Sequence, residues 1–66
     1  MSPRQFAMRL RQIREQKGMT QEALARASGV SRAYLSRLEM GRHDPPLSRL
    51  RKLAKALGVK VSALVD

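Results

Sequence analysis

Sixty-six residues without a cysteine exclude a large core, a disulfide scaffold and a thiolate metal site. Fourteen lysines and arginines against five acids leave a formal charge of +9, which points to a polyanionic partner, either nucleic acid or anionic lipid. Phe6 and Tyr34 are the only aromatics, which argues against a reader of single strands, because such readers stack bases on aromatic platforms.

The chain reads as five helices. In "SPRQ", Ser2 is placed as N-cap, Pro3 as the first helical residue and Gln5 as the residue that reaches back, a capping box. Phe6, Leu10 and Ile13 follow at i, i+4 and i+7, and Gly18 is the stop. The first helix is therefore expected over 3–17, with Met8 covering the edge of the core. Thr20 caps a second helix, Glu22 suits its first turn, and Leu24, Ala25 and Ala27 form a small apolar face. Gly29 ends it after two turns. Ser31 caps a third helix to about residue 40, with Leu35 and Leu38 inward and Gly41 as its stop. "RHDPP" is a loop, since each proline drives its predecessor out of the α region. The fourth helix carries Leu47, Leu50, Leu53, Ala54 and Leu57 on one stripe and closes at Gly58. Its Arg49, Arg51, Lys52 and Lys55 lie off the stripe, as a solvated face or as help with phosphates. A last short helix starts at about Ser62.

Helices as short as the second and third are not stable alone, since below about 12 residues a helix is marginal in water. Tertiary contacts must hold them at a sharp angle across the glycine turn, which presents the third helix on the surface. Short helix, glycine turn, short helix is the arrangement of a DNA-binding helix-turn-helix. At 100° per residue, Arg32, Ala33, Ser36 and Arg37 fan over the side opposite Leu35 and Leu38. Arginine at such positions suits a guanine O6/N7 edge and alanine a thymine methyl. Tyr34 lies at the edge of the fan, within reach of a phosphate or a flanking base. Arg42 is a second phosphate candidate.

Three blocks, "LRQIREQKGMTQEALA", "GVSRAYLSRLEMGRHDPP" and "LRKLAKALGV", occur in order at set distances. Through them the chain resembles the repressor/Cro type (XRE-like) of helix-turn-helix regulator from bacteria and phages, from about residue 6 to 64. The resemblance implies an all-α, five-helix repressor-like bundle forming one domain over 1–66. Its third helix would enter the major groove of double-stranded DNA. It implies a phosphate contact for Gln21, where the helix N-terminus assists, and base-facing positions at Arg32, Ala33 and Arg37. It also implies an ion pair between Arg14 and Glu39. Many relatives carry asparagine before the glycine that follows the third helix; Met40 stands there in this chain, so a side-chain contact is lost.

A homodimer is expected on a pseudo-palindromic operator with half-sites about 34 Å apart. Val61, Leu64 and Val65 are the candidate dimer patch. Within the class, a phage-type repressor, an antitoxin-type autoregulator and the controller of a restriction–modification operon all fit, and the last two are preferred. Other readings are weaker. An adaptor on the same fold predicts a third helix without outward arginines. A basic membrane binder predicts continuous amphipathic helices, and these are broken by glycine. No apolar run approaches the roughly 18 residues that span a bilayer, and the first residues lack the apolar core of a signal peptide, so a cytoplasmic, nucleoid-associated location is expected. His43 stands alone, so no metal site or cofactor is expected. No nucleophile–base arrangement suggests an enzyme, and no small-molecule effector is evident.

Overall fold

Three hydroxyl residues open the first three helices. In the computed structural model, which describes residues 1–65, Ser2 Oγ accepts from the Gln5 amide at 3.2 Å while Gln5 Oε1 accepts from the Ser2 amide at 2.8 Å. Thr20 Oγ1 accepts from the Ala23 amide, and Ser31 Oγ from the Tyr34 amide, each at 3.0 Å. These bonds satisfy donors that a helix start leaves without partners. They set α1 at Pro3–Gln16, α2 at Gln21–Ser28 and α3 at Arg32–Glu39; α4 runs over Leu47–Leu57 and α5 over Val61–Val65. No strand occurs among the described residues. The fold is an all-α, five-helix bundle.

Between α2 and α3 the chain turns at Gly29, whose φ is 78° and whose amide donates to the Ala25 carbonyl at 2.9 Å. Any side chain there would sit in the left-handed region that glycine enters without cost. Gly41, after α3, has a second constraint. Its φ is 76°, and a Cβ would come within 3.3 Å of the Arg4 backbone of α1. The glycine thus lets the end of α3 press against the start of α1.

One core holds the short helices. Leu24 of α2, Leu35 and Leu38 of α3, Leu53 of α4, Leu10 of α1 and Leu64 of α5 are fully buried and form a single cluster with Phe6, Ile13 and Leu57. α1 packs on α3 and α5, α2 on α3 and α4, and α4 on α5. Each such leucine contributes on the order of 1.5–3 kcal/mol through burial, so two helices of eight residues survive as parts of the core rather than alone. Arg9 of α1 donates to the Ala63 carbonyl of α5 at 3.0 Å, which ties the last helix down.

The structure departs from the apolar pattern at four places. Leu64 is fully buried, so it closes the core and is not available to a dimer patch. Met8 is 73% exposed and does not cover the core edge, because it lies a half-turn from the Phe6–Leu10–Ile13 stripe. Leu47 is 54% exposed: it is the first residue of α4, and the core-facing stripe of that helix starts at Leu50. In α2 the inward position is Ser28, not Ala27. Its hydroxyl donates to the Leu24 carbonyl at 2.7 Å, which removes the cost of burying it. The last helix begins at Val61. Among the described residues no helix is long and apolar enough to cross a membrane.

Candidate nucleic-acid interface

α3 turns one face inward and the other out. Leu35 and Leu38 are fully buried, whereas Arg32, Ala33 and Arg37 are exposed and Ser36 and Tyr34 half-buried. The outward ridge runs between two open clefts. The first, about 450 Å³, lies towards α1 and the start of α2 and is lined by Arg11, Gln21, Arg32 and Ser36. The second, about 380 Å³, lies towards α4 and the turn and is lined by Ser31, Tyr34, Arg37, Arg49 and Lys52. Its lining carries no carboxylate. The fan therefore divides, with Arg32 and Ser36 on one shoulder, Arg37 on the other, and the exposed Ala33 lining neither cleft.

A buried ion pair supports the first shoulder. Arg14 Nε donates to Glu39 Oε2 at 2.7 Å and Nη2 donates to Oε1 at 3.0 Å, a bidentate fork between α1 and α3. The two side chains retain 10% and 4% exposure. Arg14 Nη1 also donates to the Met19 carbonyl at 2.7 Å, at the bend before α2. The hydrogen-bonded Glu39 carboxylate pushes the guanidinium above its already high ordinary pKa, against the desolvation that lowers it. Gln21 belongs to the same network: its Nε2 donates to Glu39 Oε1 at 3.2 Å. An amide nitrogen has two hydrogens, so one remains for a ligand in the cleft. Gln21 is half-buried and stands at the first position of α2.

On the second shoulder the Tyr34 ring is held from two directions. The Arg49 guanidinium lies 4.5 Å from its centroid, and His43 stacks on it at 6.2 Å with the rings 9° apart. The contacts join α3, the loop and the first turn of α4. Arg42 is exposed in that loop, and its amide donates to the Arg37 carbonyl at 3.3 Å. Met40 is 62% exposed at the end of α3.

Sequence reasoning left Arg49 and Lys52 without a settled role and did not join Gln21 to Glu39. The spacing of Arg49 and Lys52, three apart on α4, put them on one face; what they face depends on the path of the chain. Val61 is half-buried and Val65 is 36% exposed, close to the exposed Met1. Among the described residues no group of three or more histidines, cysteines or acids is placed to hold a metal ion.

A bundle of this shape with an outward basic third helix is the helix-turn-helix class. Residues 10–64 match the helix-turn-helix family HTH_3, and the chain belongs to it. It is 44% identical over 57 residues to the immunity repressor protein of Bacillus phage phi105, covering 86% of this chain and 40% of that one. To the control protein C.BamHI of Bacillus amyloliquefaciens it is 40% identical over 62 residues, covering 92% and 76%. The restriction-modification controller protein C.AhdI from Aeromonas hydrophila superposes with a TM-score of 0.91 at 39% identity, covering 94% of each chain. The chain thus spans less than half of the phage repressor it matches.

Proposed function

We propose that the protein is a sequence-specific binder of double-stranded DNA that regulates transcription, with α3 in the major groove. The observation that carries this reading is the two-sided α3, with Leu35 and Leu38 buried while Arg32, Ala33 and Arg37 face out. In this reading Arg32, Ala33, Ser36 and Arg37 meet base edges, where an arginine fork fits guanine. Gln21, Tyr34 and Arg42 meet phosphates, joined by Arg49 and Lys52 from α4. A ridge between two polar clefts suits a groove flanked by two backbones, and phosphate contacts then set position and affinity while base contacts set sequence choice.

A second copy completes the proposal. Val65 lines one open hollow with the exposed Met1 and Met8, and with the half-buried Val61 of the same helix it offers apolar surface on the α1–α5 side for a homodimer on a pseudo-palindrome. Likeness to C.AhdI supports an autoregulator of a restriction–modification operon as the sub-class. Such a protein works in the cytoplasm, where its operator is, and carries out no catalysis.

Selection of bound duplexes from a random pool tests this reading. A single motif with two-fold symmetry is expected; retention of duplexes without any common motif rejects it. Within the same assay Gln21→Ala should weaken every duplex alike, by about 0.5–1.5 kcal/mol for one lost hydrogen bond. A loss confined to the selected motif shows instead that Gln21 reads a base.

A further inference from the structure

We propose that Glu22 is a specificity-determining positioning residue, which braces Arg32 from across the helix-turn-helix. The inference rests on the reading above, in which Arg32 meets a base edge. Glu22 stands on α2 and Arg32 on α3, either side of the turn at Gly29. Glu22 Oε2 lies 3.8 Å from Arg32 Nη1, and its Oε1 accepts from Arg26 Nη2 at 3.5 Å. Arg26 donates to the carboxylate from within α2 at the outer limit of hydrogen-bond reach, and the carboxylate stands at ion-pair distance from the first arginine of α3.

Helix stability explains an acid in the first turn of α2 with Arg26 four residues on, but not its reach to Arg32. All three side chains are at least 64% exposed, and exposed pairs contribute little to folding. Affinity does not explain it either, since a carboxylate beside the outward face of α3 repels phosphates. The other described glutamates have different settings: Glu39 is buried against Arg14, and Glu15 pairs with Arg11 along α1. Glu22 alone among the described glutamates sits beside an outward arginine of α3.

Bracing accounts for both the charge and its place. A free arginine on a surface samples many rotamers and loses that freedom when it docks on a base. A carboxylate on Nη1 restricts the side chain beforehand and leaves Nε and Nη2 to donate. The same negative charge disfavours binding to arbitrary backbone. Both effects widen the gap between the right sequence and the wrong one, one by raising specific affinity and the other by lowering non-specific affinity.

The test is a binding titration of the whole chain and its Glu22→Gln, Arg32→Ala and doubly substituted variants. Each is measured on a duplex selected by the unmodified protein and on a scrambled duplex of equal length. Glu22→Gln should lower the melting temperature by only a few degrees, the share of an acid in the first turn of α2, and this shift should be the same with or without Arg32. It should weaken the selected duplex about two- to fivefold, since an exposed ion pair restricts a side chain by no more than about 1 kcal/mol. The scrambled duplex should bind as tightly as before or more tightly. In the Arg32→Ala background the further loss should vanish. Equal tightening of both duplexes shows bare repulsion and overturns the brace, as does a loss that persists without Arg32. If Arg32→Ala leaves base preference intact, the base-reading role itself fails; if Arg32→Ala abolishes it while Glu22→Gln changes nothing, the brace alone fails.

Discussion

Arg14→Met is expected to lower the stability of the DNA-free protein by about 3–5 kcal/mol, the cost of leaving a buried carboxylate without its partner. The Glu39 side chain is 4% exposed and would keep a single hydrogen bond, from Gln21. The Met19 carbonyl would lose its donor as well. For a domain this small the loss consumes most of the available stability, and the melting temperature should fall by about 4–8 °C for each kcal/mol. Adding Glu39→Leu to Arg14→Met should recover a large part of it, because an apolar pair replaces a buried ion pair at little net cost. Thermal denaturation followed by circular dichroism checks both. An unchanged melting temperature for Arg14→Met contradicts the buried fork, and a double variant weaker than either single one contradicts the charge-based account of the loss.

Arg37→Ala is expected to cost about 1–3 kcal/mol on the selected duplex, and to relax the preference at one base pair. The position makes this a sharp question. Arg37 shares its cleft with Arg49 and Lys52, so its guanidinium can be pictured on a base or on the flanking backbone. Lys52→Ala supplies the comparison. It should weaken selected and scrambled duplexes alike and flatten the salt dependence by about one counterion. Titrations of both variants at several salt concentrations separate the roles. If Arg37→Ala behaves as Lys52→Ala does, Arg37 binds phosphate.

The bundle was legible because its boundaries are local chemistry. Ser2, Thr20 and Ser31 accept the amide bonds that start helices, and Gly29 and Gly58 adopt the positive φ that ends them. The inward side of α3 was equally legible, since Leu35 and Leu38 are one turn apart with arginines on either side. Misreadings came where a residue's neighbour is set by the third dimension. Leu47 is in phase with the buried Leu50 but is exposed, as the first residue of α4. Ser28 looks polar in a pattern, yet it is buried with its hydroxyl on the Leu24 carbonyl of its own helix. Leu64 was grouped with Val61 and Val65 as an apolar end, and a five-residue helix does not show by spacing alone which of three aliphatic side chains faces in.

Most of the interface's texture lay outside sequence reasoning for the same reason. Tyr34, His43 and Arg49 meet only because of the path taken by the loop between α3 and α4. The contact from Gln21 to Glu39 and the one from Glu22 to Arg32 link residues 18 and ten apart in the chain, on helices whose crossing the glycine turn sets. Residue types told that cations cluster near α3; only their placement sorts them into two shoulders with a braced arginine on one and an α4 cleft on the other.

Simultaneous replacement of Arg32 and Arg37 by alanine bears most directly on whether α3 reads DNA. Mobility-shift titrations on the selected duplex and on its scrambled counterpart, with folding verified by an unchanged melting temperature, give the answer. The account predicts that binding to the selected duplex falls to the level of the scrambled one while weak, salt-sensitive binding to both persists. A double variant that still prefers the selected duplex by the original margin contradicts it.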